Sequence, residues 1–264
     1  MMRVEVLISC MHQTDASIIT RTNVQSDVLV INQCDKDGVE EHSFFNKESE
    51  ECRARIIHTT ERGLSRSRNM AIRNATGDVC LVCDDDECLY DDYYKGIAEA
   101  FEQNPDYDVI AFRVDYPRKT YPLQSRKIGY IDALKVSSVQ IAFRRESVVR
   151  KNVFFNEKMG AGTGNGGGEE NKFLYDCLRA GLKMWYVPFC IAKIGLPGED
   201  SWFKGFDSRF CFNKGWSIKM TMGLPLAWCY AVYFSVTKFK KYRAENNFFS
   251  VLYHLLRGTL KRVK

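Results

Sequence analysis

Short hydrophobic runs alternate with amphipathic segments over the first two thirds of the chain. The runs that predict strands cover residues 4–9, 27–31, 55–58, 78–83, 109–114 and 139–143. Residues 66–74 and 91–103 have the pattern of helices, and Thr76-Gly77 follows the first of them as a suitable end. Strands that alternate with helices predict a mostly parallel sheet covered by helices, an α/β class that often binds nucleotides.

A glycine-dense segment, residues 160–168, leads directly into Glu169 and Glu170. After it, Phe173 and Cys177 fall on one side of an amphipathic helix, which Gly181 is suited to end. Residues 117–129 carry prolines and several basic residues, and they predict a loop.

The C-terminal part combines apolar and basic stretches. Residues 220–237 carry no charge and are followed by the basic cluster Lys238, Lys240, Lys241 and Arg243. The pattern leaves three interpretations open: a packed helix pair, a spanning helix at the lower limit of length, and helices that lie in the membrane interface. We favour interfacial attachment, because lysines beside aromatic residues suit an anionic membrane surface.

The composition is that of a globular protein. The chain has 264 residues, of which 45% are hydrophobic and 27% charged, enough for one large core. The net charge is +5 and much of the excess lies after residue 204, which favours a membrane surface over nucleic acid as the partner. The first residues predict a buried strand and no signal peptide, so we expect a cytoplasmic protein, peripheral on the inner face of the cell membrane.

The ten cysteines predict reduced thiols, because a chain of this length does not need a disulfide framework. Cys80 and Cys83 form a C-x-x-C pattern inside a predicted strand. Strand residues three apart point to opposite faces, so we expect two buried thiols and neither a metal site nor a redox pair.

The strand predicted at residues 78–83 runs directly into four acids, Asp84, Asp85, Asp86 and Glu87. Like charges this close repel unless a cation offsets the repulsion. Ligands of open α/β sheets bind at the carboxyl ends of strands, and a divalent ion completed by phosphate oxygens fits such a position. On extended backbone, Asp84 and Asp86 share a face and Asp85 points away.

Other interpretations of these acids remain open. They could form an exposed acidic turn, or cap the helix that begins near Asp91. The spacing of Asp84 and Asp86 also fits the nucleophile loop of haloacid-dehalogenase-like phosphatases, although such loops usually follow the first strand of their domain.

The segment Gly63-Leu64-Ser65-Arg66-Ser67-Arg68-Asn69 stands one βα unit before the acids, at a predicted helix start. Its glycine lets backbone approach a ligand, and its serines can cap the helix. Its arginines can meet phosphate or hold the acidic cluster.

Together these segments resemble a family 2 glycosyltransferase of the GT-A fold. The resemblance is carried in order by residues 63–69, by Ala75-Thr76-Gly77-Asp78, by the strand into Asp84-Asp85-Asp86, and by residues 167–173 with Gly181 and Val187-Pro188 behind them. It implies a GT-A nucleotide-diphospho-sugar transferase domain over residues 1–215. The apolar and basic pattern of the C-terminal part predicts a helical, membrane-associating extension over residues 216–264.

The resemblance also implies roles for single residues. Asp84 and Asp86 are expected to hold Mg²⁺ or Mn²⁺ on the donor diphosphate, and Glu170 to be the catalytic base. A helix start favours an ionised carboxylate, and the glycines before it would let the loop close over the donor. We assign the donor site to Asn32, Gln33, Asp35, Gly63, Arg66, Arg68, Asn69, Asp84, Asp85 and Asp86, and the acceptor site to Gly167, Gly168 and Glu169.

Two features depart from the family pattern. The second predicted strand leads to Asn32, Gln33 and Asp35 where relatives commonly place an acid directly after the strand to read the base. No histidine occurs between His58 and His254, although many relatives supply one to the metal. The ion would then keep an extra water, or residues Glu199 and Asp200 would approach it.

We therefore expect an inverting, metal-dependent transferase that takes a nucleotide-sugar donor and a glycan or lipid-linked glycan acceptor in cell-surface polysaccharide biosynthesis, without nucleic acid. Two alternatives remain: a magnesium-dependent phosphohydrolase with Asp84 as nucleophile, and a non-catalytic nucleotide-sugar binder.

Overall fold

The computed structural model describes residues 2–116, 119–194 and 205–262. Its strands are β1 (Val4–Met11), β2 (Asp27–Gln33), β3 (Gly38–Phe45), β4 (Glu51–Thr59), β5 (Val79–Asp84), β6 (Glu87–Leu89), β7 (Val109–Asp115), β8 (Arg126–Lys127), β9 (Ile141–Arg144) and β10 (Met184–Ile194). Its helices are α1 (Ser17–Arg21), α2 (Leu64–Asn74), α3 (Tyr93–Gln103), α4 (Tyr130–Ala133), α5 (Arg145–Arg150), α6 (Glu169–Arg179), α7 (Ser208–Met222), α8 (Leu224–Thr237), α9 (Phe239–Tyr242) and α10 (Phe248–Thr259).

The described strands form one mixed sheet in the order β3-β4-β2-β1-β5-β9-β7-β10-β6, with β8 paired to β10. Strands β4, β2, β1 and β5 run parallel, and β9 runs antiparallel between β5 and β7. The carboxyl ends of β1, β2 and β5 therefore meet at one edge, where ligands of such sheets bind.

The sheet is buried on both faces. One core contains Ile8, Val30 and Cys83 and packs against α3, and the other contains Leu7, Leu29 and Cys80 and packs against α2 and α6. Cys80 and Cys83 thus belong to opposite faces, as their spacing predicts, and both thiols are free.

All six predicted strands are present, with shifted ends. The run predicted at residues 139–143 begins in a short 3-10 helix, Ser138–Gln140, and becomes strand only at Ile141. Two long strands are not in the prediction. β3 is exposed and carries polar residues at most positions, so it lacks a hydrophobic run. β10 contains Pro188, at the point where its pairing with β7 shifts register between Val187 and Cys190.

The predicted loop at residues 117–129 is only partly described, and its described part contains β8, which pairs with Trp185 and Tyr186 of β10. The prediction of an uninterrupted loop is therefore wrong at Arg126 and Lys127. The helix predicted after the glycine-dense segment is present as α6, and Gly181 follows it with φ +83°.

The C-terminal helices pack on one another around Cys211, Phe234 and Leu255. Helices α7 and α10 approach closely, since a Cβ on Gly215 would stand 2.0 Å from the carbonyl oxygen of Leu255. Gly223 divides the uncharged run 220–237 between α7 and α8. In the described part of the chain, no helix is both long enough and apolar enough to cross a bilayer.

Helix α7 also packs on the glycine-dense segment. A Cβ on Gly166 would stand 2.8 Å from Cβ of Asn213, and one on Gly168 would stand 2.4 Å from Oγ of Ser217. Residue 215, the predicted end of the transferase domain, lies inside α7. The C-terminal helices are therefore packed, through α7, against the loop that leads into Glu169.

Candidate functional site

The candidate site lies where β1 and β5 end beside the start of α2. Asp84 is the last residue of β5 and pairs in register with Ser9 of β1. Ser67 of α2 donates to Ser9 through its hydroxyl at 2.9 Å. These contacts bring the segment around Gly63 and the acidic cluster together, as the sequence predicts.

Arg68 connects the acidic cluster to the start of α6. Its guanidinium donates to Asp84 Oδ1 at 2.7 Å and to Glu169 Oε1 at 3.0 Å, and its side chain is 4% exposed. The ring of Phe155 lies 5.3 Å from the guanidinium carbon. Ser138 donates to the other oxygen of Asp84 at 3.2 Å. Residues far apart in sequence thus form one buried network.

Asp85 and Asp86 occupy a turn between β5 and β6, not extended backbone. The sequence places Asp84 and Asp86 on one face because alternate residues of a strand share a face. That reasoning is wrong here, because β5 ends at Asp84 and a turn follows. The turn leaves Asp86 exposed and Asp85 half-buried. Burial, and then the charge of Asp84, raise the pKa of both carboxyls.

Glu87 lies under the turn and is 2% exposed. Its Oε1 accepts the backbone N–H of Asp84 at 2.9 Å, and its Oε2 is buried without a hydrogen-bond partner. Burial raises its pKa well above the usual range, and the charge of Asp84 adds to the effect. Burial and mutual repulsion thus disfavour the ionised forms of these carboxyls, and a bound cation would favour them.

Within the described residues, the acidic cluster alone does not form a complete site for a divalent ion. Among the residues described, no group of three or more His, Cys, Asp or Glu side chains is arranged to hold a metal. Mg²⁺ commonly binds through one or two carboxylates and completes its shell with phosphate oxygens and water. Asp84 and Asp86 could supply those carboxylates. Glu199 and Asp200, the other predicted candidates, lie outside the described residues.

The glycine-dense segment stands against Gly63. Ala161 accepts the backbone N–H of Leu64 at 3.1 Å, and a Cβ on Gly162 would stand 3.2 Å from Cα of Gly63. Gly168 precedes α6 with φ +98°, a conformation that glycine adopts readily. The segment therefore leads into α6, whose first residue, Glu169, pairs with Arg68. Glu170 is the next residue of this helix.

Glu170 has a different environment from Glu169. Burial, followed by the charge of Glu169, raises the pKa of Glu170 to about 7, although Arg68 and Lys214 oppose the shift. Burial lowers the pKa of Lys119 to about 8, and the charge of Glu170 opposes that shift. Lys119 donates to Gln140 Oε1 at 2.7 Å, so it is held in place. Two lysines therefore act electrostatically on Glu170.

The predicted base-reading residues are mostly engaged within the protein. Asn32 is fully buried and exchanges two hydrogen bonds with the backbone of Gln13. Gln33 accepts the backbone N–H of Gly63 at 2.7 Å. Asp35 is largely exposed and pairs with Arg62 at 2.6 Å. Asn32 thus holds the loop at Gln13 in position, and Gln33 holds the loop at Gly63.

Arg66 and Asn69 lie on the side of α2 that faces Glu157. Arg66 pairs with Glu157 at 3.5 Å and is half exposed. Asn69 is buried and bonds the backbone of Phe155 through both its amide atoms. Of the two predicted arginines, Arg68 is the one that the structure brings to the acidic cluster.

Four residues that contact or act on this site are absent from the predicted site residues: Ser138, Lys119, Lys214 and Glu87. Glu87 has a sequence signal, because it continues the acidic run. The other three stand in segments without a recognisable motif, and only the fold brings them near Asp84 or Glu170.

Known proteins resemble this chain in sequence and in fold. The family model described as glycosyl transferase family 2 matches residues 7–164. An uncharacterized glycosyltransferase of Haemophilus influenzae is 27% identical over 94 residues, and the match spans 36% of this chain and 31% of that protein.

Solved structures share the fold at low identity. Residues 1–349 of S. aureus TarS, in complex with UDP-GlcNAc, superpose with a TM-score of 0.59 at 13% identity, covering 92% of this chain and 74% of that one. The mannosyltransferase PcManGT of Pyrobaculum calidifontis, in complex with GDP-Man and Mn²⁺, gives a TM-score of 0.53 at 14% identity, covering 98% and 70%. The fold is therefore the GT-A fold, and the chain belongs to glycosyl transferase family 2.

Proposed function

We propose that this glycosyltransferase moves a sugar, with inversion, from a nucleotide-diphosphate sugar to a hydroxyl of a glycan or lipid-linked glycan. The observation that carries the proposal is the bridge of Arg68 between Asp84 and Glu169. It joins the expected donor side of the site to the expected acceptor side through one buried cation. Such a network fixes both sides in one geometry, which transfer between two substrates requires.

Glu170 is the proposed base. Glu169 forms an ion pair with Arg68. Glu170, in contrast, has a pKa of about 7, which suits it to accept a proton near neutral pH. The acceptor oxygen attacks the anomeric carbon, the bond from that carbon to the diphosphate breaks, and the hydroxyl proton moves to the Glu170 carboxylate.

Asp84 and Asp86 are the proposed protein ligands of Mg²⁺ or Mn²⁺. When bound, the ion would supply Lewis-acid stabilisation of the departing diphosphate. Arg68 and Ser138 orient the Asp84 carboxylate, and Glu87 fixes the backbone at the start of the turn. Asp85, Gly63 and Asp35 are proposed to complete the donor site, and Gly167 and Gly168 the acceptor side.

A panel of nucleotide sugars tests the proposal. Calorimetry with each donor, in Mn²⁺ and in EDTA, should find a donor that binds only with the metal. Release of nucleoside diphosphate should then require an acceptor. If no donor binds in either condition, the proposal is wrong. A covalent aspartyl-phosphate on Asp84, detected by mass spectrometry after acid quench, would favour the phosphohydrolase instead.

We also propose that α8 attaches the protein to the inner face of the cell membrane. Leu226, Val232, Tyr233 and Val236 are 57%, 49%, 61% and 59% exposed, and helical spacing puts them on one side of α8. The basic cluster at residues 238–243 follows directly. An exposed apolar face beside lysines suits interfacial binding to anionic lipid. This position fits cell-surface polysaccharide biosynthesis.

A further inference from the structure

The end of β1 and the two residues after it form a loop, residues 11–13, which we call the β1 loop. Met11 is 49% exposed, and His12 is exposed with φ +52°, in the left-handed region that residues other than glycine adopt rarely. Backbone in this region persists only where its surroundings hold it. The shape of the β1 loop therefore depends on bonds from neighbouring elements.

Asn32 of β2 supplies two of these bonds. Its Oδ1 accepts the backbone N–H of Gln13 at 3.0 Å, and its Nδ2 donates to the backbone oxygen of Gln13 at 2.7 Å. Because the two backbone groups have fixed roles, they also fix which side-chain atom of Asn32 is the oxygen and which is the nitrogen. Asn32 is fully buried, so it acts on the loop and not directly on a ligand.

His58 of β4 continues this chain of hydrogen bonds. Nδ2 of Asn32 lies 3.1 Å from Nδ1 of His58, and since Nδ2 can only donate, Nδ1 is the acceptor. The Cys34 thiol lies 3.6 Å from the same ring nitrogen. The ring proton is then on Nε2, which donates to Oε1 of Glu40 at 3.0 Å, and this bond lowers the pKa of the Glu40 carboxyl. Glu40, His58 and Asn32 thus connect the exposed strand β3 to the β1 loop.

The β1 loop lies near the acidic cluster. Arg21 of α1 donates to Oε1 of Gln13 at 3.3 Å. Burial is the main cause of the raised pKa of Asp85, and the charge of Arg21 opposes that rise. In the sheet, β1 separates β2 from β5. A donor with its diphosphate at the acidic cluster and its sugar toward the proposed base therefore has its nucleoside on the side of β1 and β2, where the β1 loop lies.

We propose that His58 is a positioning residue of the donor site, which acts through Asn32 to hold the β1 loop in the shape that receives the nucleoside. The inference rests on the proposed function and adds a residue without a recognisable motif. The His58 side chain is 7% exposed, so it affects the ligand through its neighbours. The exposed strand β3 also gains a role, because its Glu40 orients the His58 ring.

Two substitutions separate the two hydrogen bonds of His58. His58→Asn keeps an acceptor near the position of Nδ1 for Asn32, whereas His58→Gln keeps only a donor near the position of Nε2 for Glu40. Calorimetry with UDP, GDP, ADP and dTDP in Mn²⁺ measures the effect on the nucleotide that binds the wild type. His58→Gln should weaken binding about tenfold, and His58→Asn should stay within about twofold of the wild type. Equal affinity of His58→Gln and the wild type overturns the inference.

A double-mutant cycle tests the route through Asn32. Asn32→Ala should weaken nucleotide binding by itself, and adding His58→Gln should cause no further loss. In steady-state kinetics, His58→Gln should raise the KM for the donor and leave kcat near that of the wild type. Additive losses of binding, or a fall in kcat with unchanged KM, would show that His58 acts by another route and overturn the inference.

Glu40→Ala tests the same chain from the surface, where folding is not at risk, because the Glu40 side chain is 46% exposed. It should weaken nucleotide binding about threefold, since the His58 ring loses a partner. The exposed Glu41 follows on the same strand, so Glu41→Ala is the matched control and should bind like the wild type. If no nucleotide binds the wild type, the proposed function fails and the role of His58 with it. If the wild type binds and Glu40→Ala and His58→Gln bind equally well, only the role of His58 fails.

Discussion

Arg68 donates to Asp84 Oδ1 at 2.7 Å from a position that is almost entirely buried. A buried guanidinium is stable only when its partners stay ionised and in place. The pair therefore fixes the end of β5 against α2, and the second bond of Arg68, to Glu169, extends this constraint to α6.

Arg68→Met should lower the free energy of unfolding by about 3 kcal/mol, because Asp84 and Glu169 lose a buried partner. Turnover should fall about 100-fold as the two sides of the site lose their alignment. Urea unfolding and steady-state kinetics check this. Arg73→Met changes an exposed arginine on the same helix and serves as the control. Equal stability of the two variants would contradict the structural role.

Gly168→Ala should lower turnover while donor affinity stays unchanged. The backbone at Gly168 has φ +98°, which costs an alanine about 1 kcal/mol, and the new Cβ would stand 2.4 Å from Ser217 Oγ. Both effects displace the start of α6. Adding Ser217→Ala should restore part of the activity by removing the contact. Gly129→Ala, where nothing lies within 4 Å, should behave as wild type; if Gly168→Ala does too, α6 is not held as described.

The pH dependence of kcat/KM should report Glu170. Its pKa is raised to about 7, so the carboxylate is protonated below that pH and cannot act as a base. The rate should fall about tenfold per pH unit on the acid side. Lys214 lowers the pKa of Glu170, so Lys214→Met should move this limb to higher pH. Arg209→Met, an exposed change on α7, should not move it. A profile that stays flat down to pH 5 would exclude Glu170 as the base.

Vesicle binding should depend on the exposed face of α8. Val232→Ser with Val236→Ser removes two apolar side chains from that face and should reduce affinity for phosphatidylglycerol vesicles about tenfold in a sedimentation assay. Leu123→Ser with Ile131→Ser changes residues that are 87% and 75% exposed elsewhere, and it should leave binding intact. Equal sedimentation of both double variants would contradict interfacial attachment through α8.

The parts of the fold that could be predicted are those with a local pattern of hydrophobic, polar and glycine residues in the sequence. The hydrophobic run before Asp84 predicts β5, and glycines before two acids predict the start of α6. β3 escapes prediction because its exposed residues show no apolar run. β10 is not predicted because Pro188 interrupts its hydrophobic pattern, and the pairing of β10 with β7 shifts register just after the proline.

The site was predictable in its residue types but not in its contacts. The acidic cluster and the arginine-rich segment are visible in sequence, but the bond from Arg68 to Glu169 joins residues 101 positions apart. The strand pattern also suggested extended backbone through Asp86, whereas β5 ends at Asp84 and a turn follows. Lys214, whose charge acts on Glu170, lies on α7, and α7 packs on the glycine-dense segment. Such non-local contacts depend on tertiary packing.

The division of labour between Asp86 and Glu170 is the central claim, and calorimetry combined with turnover on two variants tests it most directly. With the donor found by the panel, Asp86→Ala should abolish binding that depends on Mn²⁺, since it removes a proposed metal ligand. Glu170→Gln should leave donor affinity nearly unchanged and cut turnover about 1000-fold, since the amide cannot take up the proton. Equal loss of donor binding in both variants, or full turnover in Glu170→Gln, would contradict the account.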